Sequence, residues 1–295
     1  MISIVIVSKD EPALDKTLAG VTAQARALAE QRGAACEIIV VDASEGRLDH
    51  IAAAHPHVRW KDFRRPPGVR VSIPHQRNEG VRSAEGEVIV FTDAGCLPEE
   101  GWLATLLRPI LTDYEAVTAG VAVGPRHHEG LYDDTMRRRT HVTYLDECPT
   151  INLAFRREAY EAVGGFDEAF EYGSDVDFSW RLIDAGHRIR NVPTATVIHD
   201  WGDGRRQLRR SYVYGKARAR LYRKHRARRG QLLRKEPMVL AYPLFLLGLP
   251  LTFVFPLYPA LLLIPIVRNR HNGPIRVVVD HLAYGVGVLA ELTGR

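Results

Sequence analysis

Short apolar segments alternate with helical stretches through residues 1–124, and this alternation restricts the fold more than any other feature of the sequence. The apolar segments predict strands at Ile2–Val7, Glu37–Val41, Val58–Trp60, Glu87–Thr92 and Ala116–Val123. Helices are predicted between them at Pro12–Gln31, Arg47–His55, Gln76–Ala84 and Glu99–Leu111. This spacing predicts an α/β domain with a mostly parallel central sheet and helices on both faces.

Polar segments follow three of the predicted strands, at the sheet edge where ligands bind in this architecture. They are Ser8 to Glu11, Asp42 to Ser44, and Thr92-Asp93. Asp93 ends a buried strand, and a carboxylate there is typical of a metal or ribose site. A second carboxylate two residues on would complete an Asp-x-Asp pair, but that position is Gly95. The site is therefore metal-independent, inactive, or completed by another residue.

Basic charge is concentrated in one segment of an otherwise acidic chain. Fourteen Lys or Arg and no Asp or Glu lie between Gly204 and Lys235, so the remainder has 26 of the 40 basic residues against all 35 acidic ones. Such a segment is typical of contact with a polyanion, either nucleic acid or anionic lipid. The three scattered cysteines form no CxxC pair, which favours a reducing compartment.

An apolar segment without any charge follows, from Met238 to Val267. As one helix it would be about 45 Å long, beyond a hydrocarbon core of about 30 Å, and five prolines interrupt it. Basic residues flank both ends, which favours both ends on the cytoplasmic face. We predict an in-plane or re-entrant hairpin in one leaflet; a soluble helical subdomain is the alternative.

Five motifs occur in one order: SIVIVSKDE, EIIVVDAS, QRNEGVRSAEGEVIVFTDAG, NLAFRREAYEAVGGFDE and SDVDFSWRL. Together they resemble the landmarks of family 2 glycosyltransferases, over roughly Ile2 to Gly202. The resemblance implies a GT-A (Rossmann-like) domain and an inverting transfer of sugar from a nucleotide. We predict this domain at 1–203, a basic amphipathic helix at 204–236, the apolar Pro-rich membrane hairpin at 237–267 and a tail at 268–295.

The resemblance also implies which residues hold the donor. Asp42 matches the family's contact to the nucleotide base, and Arg77 and Asn78 match its RN pair. Asp93 would bind ribose, metal or both, and Ser8 lies at the same edge. Ala43 replaces a second Asp of the family and leaves the base open; a UDP-sugar is favoured and a GDP-sugar is possible.

His199 offers one way to complete the cation site. It ends the VIH strand, where many family members supply a late metal-binding histidine. Asp93, His199, two diphosphate oxygens and water would give octahedral Mg²⁺ or Mn²⁺. A core or surface histidine is the alternative.

Asp175 matches the family's catalytic base and begins a predicted helix, whose dipole favours an ionised carboxylate. Inverting transfer needs one base and no nucleophile. Weaker expectations for contacts with the acceptor or the diphosphate fall on Asn152, Asp177, Trp180, Gln207 and Arg210.

The sequence therefore predicts an inverting glycosyltransferase at the cytoplasmic face of the cell membrane. Its partners would be a nucleotide-sugar, an anionic lipid surface and a lipid-linked or envelope glycan acceptor. An inactive protein that binds nucleotide-sugars is one alternative. A nucleic-acid-binding protein is another, although the charge-free segment beside the basic one argues against nucleic acid.

Overall fold

The computed structural model describes residues 1–69, 73–124, 141–200, 204–268, 270 and 273–294. The chain divides into two compact units, with the boundary between Asp200 and Trp201.

A nine-stranded sheet forms the centre of the first unit, counted over its described residues. The strands are β1 (Ile2–Ser8), β2 (Cys36–Asp42), β3 (Arg59–Asp62), β4 (Val88–Asp93), β5 (Leu97–Pro98), β6 (Val117–Val123), β7 (Tyr144–Leu145), β8 (Asn152–Arg156) and β9 (Ile189–Ile198). Their order is β3-β2-β1-β4-β8-β6-β9-β5, and β7 pairs with β9.

The sheet is mixed, so the predicted mostly parallel arrangement is wrong. Strands β3, β2, β1 and β4 are parallel neighbours, and β6 runs parallel to β9. Strand β8, however, lies antiparallel between β4 and β6, and both β5 and β7 pair antiparallel with β9. The predicted parallel geometry is therefore continuous only from β3 to β4, and in the other half of the sheet it is confined to the pair β6 and β9.

Six helices accompany these strands in the described part of the first unit. They are α1 (Leu14–Arg32), α2 (Asp49–Ala54), α3 (Ile73–Ser83), α4 (Trp102–Thr112), α5 (Arg157–Ala162) and α6 (Ser174–Asp184). All five strands and four helices predicted for residues 1–124 are present, with ends within three residues of the prediction. Helix α3 packs on β1 and β2, which brings its side chains to the carboxyl ends of those strands.

An aromatic cluster forms the core beneath these strand ends. Phe91 of β4 and Phe155 of β8 have ring centroids 5.7 Å apart. Phe166 packs on Phe178 of α6 with a centroid distance of 4.3 Å, and it contacts Phe91 edge-on at 5.6 Å. The turn that contains Phe166 and the start of α6 are thus both anchored to the central strand β4.

Helices make up the described part of the second unit. They are α7 (Gly204–Lys224), α8 (Leu232–Lys235), α9 (Met238–Leu247), α10 (Leu263–Arg268) and α11 (Pro274–Leu292), with 3₁₀ turns at Arg226–Gln231, Leu249–Phe253 and Tyr258–Leu262. Helices α7 and α11 pack closely because Gly215 and Gly287 have no side chain; a Cβ at Gly287 would overlap the carbonyl of Tyr212. Glu291 of α11 is buried and pairs with Arg220 at 3.0 Å.

Prolines divide the apolar segment into short helical pieces. Pro250 and Pro259 each stand in the first turn of a 3₁₀ helix. Many of its large apolar side chains face outward, among them Phe253 at 93% and Leu257 at 82% exposure. No helix in the described residues combines the length and hydropathy needed to cross a bilayer.

Candidate active site

The carboxyl ends of three parallel strands meet at one edge of the sheet. Ser8, at the end of β1, pairs in register with Asp42 of β2. Asp93, at the end of β4, pairs with Val7, the residue before Ser8. The sheet register therefore places three predicted donor-binding residues on adjacent strands: Ser8 and Asp42 are paired directly, and Asp93 is offset from Ser8 by one residue.

Arg77 of α3 connects this edge to the start of helix α6. Its Nη1 donates a hydrogen bond of 3.2 Å to Ser174 Oγ, and its Nη2 lies 4.0 Å from Asp93 Oδ1. The guanidinium stands over the ring of Phe166, 5.6 Å from the centroid. The structure thus brings Arg77, Asp93 and the first turn of α6, all predicted site elements, into one cluster.

Three polar atoms of this cluster are buried and have no hydrogen-bond partner among the described residues: Ser8 Oγ, Arg77 Nε and Asp93 Oδ1. The 4.0 Å approach of Arg77 to Asp93 is an ion pair but too long for a hydrogen bond. Buried polar groups in native proteins are nearly always paired. Donors and acceptors left over at the ligand edge of an α/β sheet indicate that a polar ligand completes them.

Asp42 is buried, and both of its oxygens accept hydrogen bonds from Ser44. Ser44 Oγ donates to Oδ1 at 2.6 Å, and the Ser44 N–H donates to Oδ2 at 3.2 Å. Ser44 Oγ also accepts from the Asp10 N–H at 2.7 Å, so it ties the loop after β1 to the loop after β2. The predicted contact of Asp42 with a nucleotide base stays a prediction.

Helix α6 begins at the predicted base. Asp175 lies in its first turn and is half-buried, while Gly173 before it has a φ of 79°. Asp177 is fully buried and accepts a 2.8 Å hydrogen bond from Arg181 Nε. Trp180 is also buried. Asp177 therefore stabilises the helix through Arg181, and the predicted contacts of Asp177 and Trp180 with an acceptor stay predictions.

Cys96 follows the turn that begins at Asp93, and nearby negative charges act on its thiol. Burial raises the pKa of its thiol, and the negative charges of Asp93 and Glu11 raise it further. Its Sγ lies 3.6 Å from Nδ1 of His199, which brings the predicted second metal ligand next to the turn that carries Asp93. Among the described residues, no group of three His, Cys, Asp or Glu side chains is arranged to hold a metal ion.

Two residues predicted to bind ligand make hydrogen bonds within the protein, and their contacts with a ligand stay predictions. The Asn78 amide donates to the Phe166 carbonyl and to Glu168, and its oxygen accepts from the Phe166 N–H and Tyr160 hydroxyl. Burial raises the pKa of Tyr160 to about 12, so that hydroxyl stays a donor at neutral pH.

Asn152 is the second of these residues, and its side chain makes hydrogen bonds inside the first unit. It accepts from Trp102 Nε1 and donates to the carbonyls of Val121 and Ala195. Both amides thus connect separate elements of the first unit through hydrogen bonds.

Gln207 and Arg210 belong to the second unit. They lie one turn apart on α7, and Arg210 Nη1 donates to Gln207 Oε1 at 3.3 Å. Their contact with a departing diphosphate stays a prediction.

Three contributors to the site were not predicted individually. Ser174 accepts from Arg77, and Gln76 Nε2 donates to the carbonyls of Ser8 and Val41, which fixes α3 against both strand ends. Glu11 lies against the Asp93 turn, where a Cβ at Gly95 would be 3.6 Å from its carboxyl carbon. The sequence signals for Glu11 were its position in the polar segment after the first strand and at the end of the motif SIVIVSKDE.

Comparison with known proteins gives two family matches. Residues 3–168, more than half of the chain, match the model described as glycosyl transferase family 2. Residues 134–269 match the model described as glycosyl transferase family group 2.

Among curated proteins, the chain is similar to the pre-mycofactocin glycosyltransferase of Mycobacterium tuberculosis, with 28% identity over 249 residues. The match covers 76% of this chain and 48% of that protein, so the chain spans about half the length of this relative.

Two solved structures share the fold. One is the mannosyltransferase PcManGT of Pyrobaculum calidifontis in complex with GDP-Man and Mn²⁺, with a TM-score of 0.68 and 17% identity over 100% of this chain and 87% of that one. The other is GalNAc-T7 with UDP, GalNAc and Mn²⁺, with a TM-score of 0.50 and 19% identity over 74% of this chain and 50% of that one. These likenesses confirm the predicted GT-A-like α/β fold.

Proposed function

Because the chain belongs to glycosyl transferase family 2, we propose that it transfers a sugar from a nucleotide-sugar to an acceptor hydroxyl, with inversion at the anomeric carbon. The observation that supports this most is the cluster of Arg77, Asp93 and the first turn of α6, together with its unpartnered buried polar atoms. A diphosphate has oxygen atoms that accept hydrogen bonds from unpartnered donors, and a ribose has hydroxyls that donate to unpartnered acceptors.

Arg77 suits the donor diphosphate. Its guanidinium is buried and held in orientation by Ser174 and the Phe166 ring, while its Nε has no partner among the described residues. An oriented guanidinium stabilises the negative charge that develops on the leaving diphosphate, and it costs little reorganisation during the reaction. The two structural neighbours were solved with GDP-Man and with UDP, which supports a nucleotide-sugar donor.

The same site suits a divalent cation that the protein and the donor diphosphate would hold together, since the described residues contain no metal site of three protein ligands. Asp93 Oδ1 is a buried carboxylate oxygen without a hydrogen bond, the kind of ligand that Mg²⁺ and Mn²⁺ prefer. His199, beside Cys96, remains the predicted second ligand. When bound, the cation would neutralise diphosphate charge; both structural neighbours were solved with Mn²⁺.

Asp175 is our candidate for the base that removes the proton of the acceptor hydroxyl. It is half-buried in the first turn of α6, where the backbone N–H groups and the helix dipole favour its charged form. The hydrogen bond from Arg77 to Ser174 links the residue before this base to the residue that faces the leaving group. One carboxylate suffices, because the acceptor oxygen itself attacks the anomeric carbon.

We also propose that the enzyme works at an anionic membrane surface, at its cytoplasmic face, on a lipid-linked or envelope glycan acceptor. The exposed apolar side chains between Leu244 and Val267 support this, because an apolar patch of this kind inserts into the boundary between headgroups and acyl chains. The basic segment from Gly204 to Lys235 adds about 1 kcal/mol of attraction per Lys or Arg near the surface.

A nucleotide titration tests the proposed function. Full-length protein is titrated with UDP, GDP, dTDP, CDP and ADP, each with Mn²⁺ and with EDTA. We expect one nucleotide to bind, with weaker affinity in EDTA and in an Asp93→Asn variant. Asp113→Asn, an exposed carboxylate at the end of α4, is the matched control and should bind as the wild type does. Failure of every nucleotide to bind would refute the proposal.

A further inference from the structure

We propose that Glu11, in the loop after β1, supplies the second carboxylate of the cation site, which in an Asp-x-Asp pair would come from position 95. This inference rests on the proposed function and names a ligand for that same site. It explains why Asp93 has a buried Oδ1 without a hydrogen-bond partner although position 95, two residues on, is a glycine.

The direction of the Cα–Cβ bond at position 95 points to Glu11. A Cβ on Gly95 would lie 3.6 Å from the Glu11 carboxyl carbon and 3.9 Å from its Oε2. The carboxyl carbon of an aspartate lies about 1.5 Å beyond its Cβ, so the Glu11 carboxyl is within roughly 2–5 Å of where that group would lie. Gly95 itself has a φ of 87°, a conformation that disfavours any side chain.

Hydrogen bonds hold Glu11 and Gly95 in this arrangement. The Gly95 N–H donates to Thr17 Oγ1 of α1 at 3.0 Å, which fixes the turn after β4 against the first helix. On the other side, the Asp10 N–H donates to Ser44 Oγ at 2.7 Å. Glu11 Oε1 accepts from the Ala13 N–H at 3.0 Å, so the carboxylate is oriented by its own loop.

The charges of the site agree with a cation between these two carboxylates. Asp93 begins the turn that contains Gly95, because its carbonyl accepts from the Cys96 N–H at 3.1 Å, and the Glu11 carboxyl carbon lies 3.6 Å from a Cβ placed on Gly95, so both carboxylates flank one turn. Arg77 Nη2 lies 4.0 Å from Asp93 Oδ1, a distance too long for a hydrogen bond. Two carboxylates, two diphosphate oxygens and water complete the six oxygen ligands that Mg²⁺ or Mn²⁺ takes.

Mn²⁺ binding to the full-length protein, followed by electron paramagnetic resonance of free Mn²⁺, tests the assignment. Titrations are run without nucleotide and with saturating UDP or GDP. Glu11→Gln removes the charge but keeps the acceptor for the Ala13 N–H. Glu100→Gln, an exposed glutamate before α4, is the matched control. His199→Ala is measured beside them.

We expect Glu11→Gln to weaken Mn²⁺ binding about tenfold or more, as loss of metal-site residues does. Its melting temperature should stay within about 2 °C of the wild type, and its nucleotide affinity in EDTA should not change. Glu100→Gln should bind Mn²⁺ as the wild type does.

Wild-type Mn²⁺ affinity in Glu11→Gln, or a loss confined to His199→Ala, would overturn the role of Glu11 while leaving the proposed transferase intact. A wild-type protein that binds nucleotide but no Mn²⁺ would overturn it as well. A wild type that binds no nucleotide at all would instead refute the proposed function.

Discussion

Replacement of Asn78 by alanine should destabilise the first unit without abolishing nucleotide binding. Four hydrogen bonds are lost, two to the backbone of Phe166 at 2.9 Å each, one to Glu168 at 2.8 Å and one from Tyr160 at 2.7 Å. These bonds join α3 to the turn that carries Phe166, which in turn supports Arg77.

The magnitude follows from which partners can reach water after the substitution. Phe166 is 2% exposed, so its N–H and carbonyl stay buried, and each unsatisfied group costs about 1–3 kcal/mol. Tyr160 and Glu168 are partly exposed and can be rehydrated. The expected loss is therefore about 2–6 kcal/mol, a large part of a typical stability of about 5–15 kcal/mol.

Urea denaturation measures this loss, and nucleotide titration of the folded variant measures the site. Tyr160→Phe deletes one of the four hydrogen bonds and should lower the free energy of unfolding by only about 0.5–1.5 kcal/mol. It therefore still tests the hydrogen bonds of Asn78 if Asn78→Ala does not fold. Arg82→Ala on the exposed side of α3 is the control, with an expected change below about 1 kcal/mol. An Asn78→Ala variant as stable as the wild type, with tenfold weaker nucleotide binding, would refute the structural role.

Three further predictions concern the second unit. Gly287→Ala should destabilise it by about 1–3 kcal/mol because the new methyl overlaps a carbonyl of the facing helix, whereas Gly230→Ala meets nothing within 4 Å and should not; thermal denaturation compares the two. Burial lowers the pKa of His281 from 6.5, so the unfolded chain binds the proton more readily and stability should fall as pH drops below 6.5. Melting temperatures at pH 7.5 and 5.5 check the sign, and His281→Gln should lose less melting temperature than the wild type between these two pH values. Phe253→Ser with Leu257→Ser should weaken co-sedimentation with phosphatidylglycerol vesicles, and binding equal to the wild type would argue against insertion of this patch.

The parallel half of the fold was predictable because its signals are local. Strands β1, β2 and β4 are apolar runs that alternate with helices, and such alternation constrains strand direction. The antiparallel insertion of β8 was not predictable in the same way. Asn152–Arg156 is a short apolar run whose direction depends on its pairing with Phe91 and Val117, residues far along the chain.

The candidate site divides along similar lines. Arg77, Asp93 and Asp175 were predicted from motifs, and the structure brings their elements together at one sheet edge. For Asn78, the motif predicts that the amide matters but does not predict its hydrogen bonds to the backbone of Phe166, a residue far along the chain. Glu11 ends the first motif, SIVIVSKDE, but the motif did not assign it a role, because its relation to the Asp93 turn depends on how two separate loops pack.

Comparison of Asp93 and Asp175 variants is the sharpest test of the proposed transferase, because the two residues have separate roles. Nucleotide affinity and release of nucleotide from the matching nucleotide-sugar are measured for wild type, Asp93→Asn and Asp175→Asn. We expect Asp175→Asn to bind nucleotide as the wild type does but to turn over at least about 10²-fold more slowly, as loss of a general base does. Asp93→Asn should lose binding as well. Wild-type turnover in Asp175→Asn would contradict the assignment of the base and, with it, the proposed mechanism.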